Sequence, residues 1–378
     1  MRYETLTVHA GGKGDKHTGA VSTPIYQTST YRQEGLESLG EYVYSRSKNP
    51  TRDSLEGAIA LLEGAEHGFA FSSGIAAISS VISALTREGD HIVAPRDLYG
   101  GSYRALTRLF PDQGLSVTFA DMTDLDSVED AIRGETKLIL IETPSNPLMK
   151  ITDIAGVVGI AKNHGIRTAM DNTFMTPLLL RPLDLGVDVS IHSATKFIGG
   201  HSDVIGGLAV TSDSAIASRL RLVQNGFGAI LGPFDSWLLL RGLKTLAVRM
   251  ERQQSSAIAI ALALEQSDAV LEVFYPGLPN HPGREILEQH ARGYGAVMAF
   301  RAKSFEVAKG IAKRAEIWTV SVSLGGVESI LSHPASMSHA ALKRHVREEL
   351  GVSDDLLRLS VGLEDPDDLI EDLDLSSV

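Results

Sequence analysis

The sequence predicts an α/β protein, an open and largely parallel sheet followed by a smaller α+β unit. Two observations carry this reading. After the turn at Asn49-Pro50-Thr51, helical and strand patterns alternate with short polar breaks, as βα units require. Beyond about residue 235 the alternation loosens into a long helical stretch and a mixed set of strands and helices.

The first 46 residues carry turn formers with little periodicity, from Gly11-Gly12-Lys13-Gly14 through Ser22-Thr23-Pro24 to Tyr42-Val43-Tyr44-Ser45-Arg46. Such a segment buries no core alone and is expected to pack as an arm on a neighbouring subunit. A helix is expected from Asp53 to about Gly64, then a strand over Gly68–Phe71 that runs into Ser72-Ser73-Gly74 and a helix from Ile75 to Thr86. His91–Ala94 is the next strand, a helix begins near Ser102, and Ser116–Ala120 and Asp124–Ile132 form another strand and helix. The apolar run Lys137–Ile141 ends at Glu142, the helix Ile154–Asn163 is closed by Gly165, and Arg167–Met170 leads to Asp171. Strands Val187–Ile191 and Gly207–Thr211 bracket a loop containing Lys196. A long helix then runs from about Phe234 to Gln266, followed by strands near Val270–Tyr275, Ala296–Arg301, Ile317–Val320 and Leu356–Val361. The chain thus divides into an arm (1–46), a sheet domain (47–235) and an α+β domain (236–378).

With 378 residues, 43% of them hydrophobic and 22% charged, the chain is long enough to bury a core without staples. Its 47 acidic against 35 basic residues, a net charge of -12, oppose nucleic acid or an anionic membrane surface as the main partner and favour a small molecule. The absence of cysteine excludes disulfides, thiolate metal sites and a cysteine nucleophile. The N-terminus has no signal-peptide pattern, and the longest apolar run, Ala257–Leu264, is far shorter than the ~18 residues of a membrane helix; a cytoplasmic protein is expected.

Nucleophile-elbow, zinc-protease and dinucleotide motifs are missing, and Gly242-Leu243-Lys244-Thr245 lacks the glycine a P-loop needs before its lysine. The histidines have no ligand spacing, so no metal is expected; His333, His339 and His345 are read as surface or supporting residues. What remains is a set of polar residues at strand ends, where an open parallel sheet binds ligands. Ser72-Ser73-Gly74 opens a helix whose free N–H groups suit a phosphate, although a plain N-cap by Ser72 or Ser73 is the commoner explanation for serines at that place. Lys196, between Thr195 and Phe197 after an apolar strand, is expected to be partly desolvated, which favours the neutral amine a Schiff base needs. Asp171 is either a strand-end functional carboxylate or an Asx turn through Asn172-Thr173. Alternation along Leu357-Arg358-Leu359 places Arg358 on the polar, outward face.

Together these residues resemble the Cys/Met-metabolism family of pyridoxal-phosphate (PLP) enzymes, the trans-sulfuration group, across nearly the whole chain. The resemblance rests on DVSIHSATKFIGGHS from Asp188, YSRSKNPT from Tyr44, FSSGIAA from Phe71, DLYGGSYR from Asp97, ETPSNP from Glu142, DNTFMTP from Asp171, SLGGVES from Ser323 and LLRLSVGLE from Leu356. It implies PLP-dependent transferase fold type I (aspartate aminotransferase-like), with pyridoxal 5'-phosphate as cofactor. Lys196 would be the Schiff-base lysine, Asp171 would hold the pyridinium nitrogen and Tyr99 would stack on the ring, these three forming the catalytic set. Gly74, Ile75, Ser193 and Thr195 would bind the phosphate, Ile75 standing where relatives usually have methionine. Tyr44 and Arg46 would reach that phosphate from the neighbouring subunit, in a homotetramer built as a dimer of active dimers. Asn146 would orient cofactor or substrate, Arg358 would clamp the substrate α-carboxylate, and Arg104 would meet the distal carboxylate of cystathionine. Val322 and Ser323 complete the substrate set, Val322 replacing a glutamate typical of the relatives most devoted to γ-chemistry on cystathionine. The implied activity is a PLP-dependent carbon–sulfur lyase acting on cystathionine. A γ-replacement transferase (cystathionine γ-synthase or homoserine-ester sulfhydrylase) and a non-catalytic PLP sensor are the alternatives. The stretch from Asp367 to Val378 is shorter than in relatives, so a short last helix is expected.

Overall fold

The computed structural model describes residues 1–12, 14–37, 39–340 and 343–375. Seven strands form the larger sheet: β1 (His67–Phe71), β2 (His91–Pro95), β3 (Ser116–Ala120), β4 (Thr136–Glu142), β5 (Arg167–Asp171), β6 (Val189–Ser193) and β7 (Gly207–Thr211). Their order is β1-β7-β6-β5-β4-β2-β3, with β7 antiparallel to both neighbours and the other pairs parallel, so the sheet is mostly parallel as expected. Strands β2 and β7 are buried along their whole length, which is what helices on both faces of a parallel sheet produce. The second sheet contains β8 (Val270–Phe274), β9 (Val297–Ala302), β10 (Thr319–Val320), β11 (Ile330–Ser332) and β12 (Leu356–Ser360). It is ordered β10-β11-β12-β9-β8 and is antiparallel except for β10-β11.

Three helices early in the chain bear on the site: α1 (Tyr3–His9), α2 (Pro50–Glu63) and α3 (Gly74–Leu85). Asn49 starts α2 by accepting the Thr51 and Arg52 N–H groups, with Pro50 at the first helical position, so the segment read as a turn is a cap and the helix begins earlier than Asp53. Ser73 starts α3 by accepting the Ala76 N–H at 3.1 Å. The N-cap reading is therefore correct, and it leaves the N–H groups at the helix start facing the strand ends.

Several expectations are corrected. The arm is not without a core: Tyr3 and Ala10 are buried, and the Tyr3 hydroxyl donates to the Leu62 carbonyl of α2. The stretch Phe234–Gln266 is two helices, Pro233–Leu243 and Leu246–Glu265. A tertiary contact accompanies the break: Gly242 lies so close to the Ile198 and Gly199 carbonyls that a Cβ would sit 2.4 and 2.5 Å from them. Arg249 locks this contact by donating to the Gly242 carbonyl at 2.8 Å and the Phe197 carbonyl at 2.7 Å. Strand β6 is shifted to Val189–Ser193 because Asp188 turns back to accept the Thr168 N–H. The helix Ser214–Phe227 and the strand β11 were not expected, and the Ile317–Val320 strand shrinks to β10. Of the two readings given for it His339 takes the supporting one: it is buried, and burial, helped by Arg358 and Arg347, pushes its imidazole down to about 4. The last helix is Pro366–Asp372, and residues 376–378 of the final stretch lie outside the described residues.

Candidate active site

The carboxyl ends of β4, β5 and β6 lie side by side, Glu142 in register with Asp171 and Asp171 with Ile191. They form one wall of a cavity of about 320 Å³ whose opposite wall comes from the second sheet and the loop before β11. Lys196, Asp171, Asn146, Tyr99, Val322 and Arg358 all line it. So do Gly74, Ile75, Ser193, Thr195 and Ser323, so most of the candidates converge.

Lys196 lies three residues past the end of β6, in a turn closed by its own N–H on the Ser193 carbonyl at 3.2 Å. Its Nζ donates to Ser323 Oγ at 2.6 Å. Burial, reinforced by the Arg358 charge and opposed by Asp171, pushes its ammonium down to about 8. The amine is therefore substantially neutral slightly above neutral pH, as the sequence reading required.

Asp171 makes the Asx turn offered for it and also lines the cavity from the end of β5. Its Oδ1 accepts the Thr173 N–H at 3.0 Å and the Thr173 hydroxyl, which is an Asx turn, while Oδ2 has no donor among the described residues. Burial pushes the carboxyl up, and the Thr173 bonds, His192 and Lys196 pull it back. Thr173 also accepts the Ser193 N–H at 2.8 Å, tying the turn to the lysine strand. Sequence reasoning did not assign Thr173 a role, nor Glu142, which accepts the Tyr99 N–H at 3.0 Å and so fixes the base of that side chain. Burial and the neighbouring Asp171 push the Glu142 carboxyl well up, opposed by the bond it accepts from the Tyr99 N–H. The signal for Glu142 was present in its position: a carboxylate ending a buried strand beside one ending in Asp171.

Arg358 overturns the outward reading. It is buried on β12, where its Nη1 donates to Asn146 Oδ1 at 3.0 Å and its Nη2 donates to the Ser323 carbonyl at 2.6 Å and Ser332 Oγ at 3.1 Å. Its Nε has no partner, and no carboxylate lies within ion-pair distance among the described residues. Burial pushes the guanidinium down to about 10. A buried cation without a counter-ion is costly, and an entering carboxylate would supply the missing charge and hydrogen bonds. Alternation misled here because β12 is covered on both faces, all five of its residues being buried. Ser323, which receives both Lys196 and Arg358, has a φ of 82°, a strained conformation for a residue with a side chain.

Three candidates lie elsewhere. Arg104, at the end of the short helix Gly100–Arg104, lines a separate cavity of about 40 Å³ with Arg96, Arg108 and His339, and Ser338 lines both cavities. Tyr44 and Arg46 are exposed and do not line the cavity. Arg46 donates to the Asn225 carbonyl at 2.7 Å, and its guanidinium lies 5.6 Å from the centre of the Tyr44 ring.

The family model for the Cys/Met metabolism PLP-dependent enzymes matches residues 4–376. Cystathionine beta-lyase MetC of Bacillus subtilis (strain 168) is 51% identical over 371 residues, 98% of this chain and 95% of that protein. Cystathionine gamma-lyase of the same organism is 48% identical over 373 residues, 99% of this chain and 98% of that protein. The crystal structure of cystathionine gamma-lyase from Lactobacillus plantarum complexed with L-serine has a TM-score of 0.96 at 43% identity, covering 99% of this chain and 98% of that one.

Proposed function

The chain belongs to the Cys/Met metabolism family of PLP-dependent enzymes, and from that premise we propose that it is a carbon–sulfur lyase cleaving cystathionine by β-elimination. The products are homocysteine, pyruvate and ammonia, with γ-elimination to cysteine and 2-oxobutyrate as a lesser path. One observation carries the reading: Ser323 receives both the Lys196 amine and the Arg358 guanidinium. An α-amino acid whose carboxylate binds Arg358 therefore presents its amino group and Cα to Lys196.

The residues fit the cofactor. A Cβ at Gly74 would lie 2.7 Å from Ser193 Cβ and Oγ, so glycine keeps open a cradle between the start of α3 and the end of β6 that suits a phosphate. Gly74, Ile75, Ser193 and Thr195 would hold the phosphate, the free Oδ2 of Asp171 the ring nitrogen, and Lys196 the aldehyde carbon. When bound, PLP supplies an electron-withdrawing ring that stabilises negative charge at the substrate α-carbon. With the cofactor bound, Lys196 Nζ would take the proton from Cα, and the electron pair left there would form the Cα–Cβ bond's second pair as the Cβ–S bond breaks and sulfur leaves as a thiolate. Water completes release of the three-carbon fragment as pyruvate and ammonia. Arg358 and Asn146 hold the carboxylate during this sequence.

The choice of β over γ rests on Val322. It is 59% exposed and lines the cavity, so it does not merely pack the end of β10. γ-Chemistry needs a second proton moved at Cβ, and a valine offers no group to move it, whereas β-elimination needs only the Cα proton. With cystathionine, the parent enzyme should give pyruvate in excess of 2-oxobutyrate, and Val322→Glu should raise the γ to β product ratio at least about threefold. An unchanged ratio would remove Val322 from the argument. Dominant γ-replacement by the parent, offered acyl-homoserine and cysteine, would overturn the lyase reading, and a protein that binds PLP without releasing thiol or keto acid would be the sensor.

The same reading assigns Tyr44 and Arg46 to the neighbouring subunit's phosphate, within a cytoplasmic homotetramer. It is supported by their exposure and by the apolar residues left uncovered on the arm, Val21 and Leu36 among them. Among the described residues no helix is long and apolar enough to cross a membrane. Mixing Arg46→Ala subunits with Lys196→Ala subunits should restore one intact site per heterodimer. Recovered activity is the expected outcome; none at all would mean that Arg46 serves its own chain.

A further inference from the structure

Resting on the reading that Tyr44 and Arg46 serve the neighbouring subunit's cofactor, we infer that Arg52 is the positioning residue for that contact. Its guanidinium sets the backbone of Ser45 and Arg46 and so aims the side chains on either side of Ser45 out of the subunit. Arg52 lies in the first turn of α2 and is 1% exposed. Its Nη1 donates to the Ser45 carbonyl at 2.7 Å and its Nη2 to the Arg46 carbonyl at 3.2 Å. Two consecutive carbonyls are thus turned inward onto one planar fork.

Among the described residues every hydrogen bond that the Arg52 side chain makes ends on this segment, and Nε has no hydrogen-bond partner. The nearest carboxylate, Glu56 Oε1 at 3.7 Å, balances the charge but is itself committed to the Ala70 N–H and the Gln224 amide, both at 2.9 Å. The rest of the segment is pinned as well. The Ser45 N–H donates to the Ser29 carbonyl at 2.8 Å, its hydroxyl donates to the Thr28 carbonyl, and the Asn49 amide donates to that hydroxyl at 3.1 Å. Ser45 is held inward while Tyr44 and Arg46 on either side are exposed. A buried cation spent on two carbonyls of an arm, rather than on the body of the subunit, is explained by the need to hold that arm in one conformation before the neighbouring site can use it. Lysine cannot replace it, because an ammonium lacks the planar fork that meets both carbonyls.

The test titrates apo-protein with pyridoxal phosphate, following absorbance, for Arg52→Lys, Arg46→Ala and the double variant. Arg52→Lys should weaken cofactor affinity at least about fivefold, with kcat at saturating cofactor within about twofold of the parent. The double variant should be no more than about twofold weaker than Arg46→Ala alone, since both changes remove one contact. Unchanged affinity in Arg52→Lys, a kcat loss that saturating cofactor does not repair, or multiplicative effects in the double variant would overturn the role of Arg52. Unchanged affinity in Arg46→Ala would instead overturn the arm reading and this inference with it. If Arg52→Lys does not fold, Ser45→Ala reads the same segment: at least about threefold weaker affinity is expected, and none overturns the inference.

Discussion

Lys196→Ala is expected to lower cystathionine turnover by at least ~10³-fold, the upper range for loss of a positioned general base, while the protein stays folded. Among the described residues Lys196 is the only amine lining the cavity, and the other cation there, Arg358, is committed to Asn146, Ser323 and Ser332. The variant should also lose the yellow colour of covalently held cofactor. The same residue sets a pH dependence. Its ammonium is pushed down to about 8, and only the neutral amine attacks the cofactor aldehyde, so capture of PLP by the apo-protein should speed up as pH rises through about 8 and level off above. Stopped-flow absorbance measures it. A midpoint above ~10, that of an ordinary lysine, would contradict the burial argument.

Arg358→Lys is expected to lower kcat/KM for cystathionine about 10²-fold, chiefly through KM, with the keto-acid product unchanged. The substitution keeps the charge but loses the planar fork that serves Asn146 and Ser323 together. Steady-state assays of pyruvate release over a wide substrate range separate the two parameters. A KM within about twofold of the parent would mean that the α-carboxylate binds elsewhere.

Residues at the ends of parallel strands were readable from sequence, because a strand end is visible as an apolar run that stops and the chemistry of such an edge is general. Lys196, Asp171 and Gly74 belong to this group, and Glu142 could have joined them. Arg358 was assigned by resemblance and not readable from pattern, since alternation records which residues share a face but not what covers each face, and β12 is covered on both. Arg104 was carried over by resemblance alone, and the short helix bearing it opens on a different cavity. Ser332 was missed with the three-residue strand β11, too short to show a period, although its pairing with Arg358 across β11 and β12 places it in the site. The helix break near Lys244 is accompanied by Gly242 meeting the Gly199 carbonyl, a contact between residues distant in sequence.

The central claim is that Lys196 moves the α-proton of an amino acid held at this cavity. L-Alanine offers a Cα proton and no leaving group, so its exchange in deuterium oxide reports that step alone. With the holoenzyme, proton NMR should show loss of the α-hydrogen signal, and Lys196→Ala should slow that loss by at least ~10²-fold. Equal exchange rates in the two proteins would contradict the assignment of Lys196.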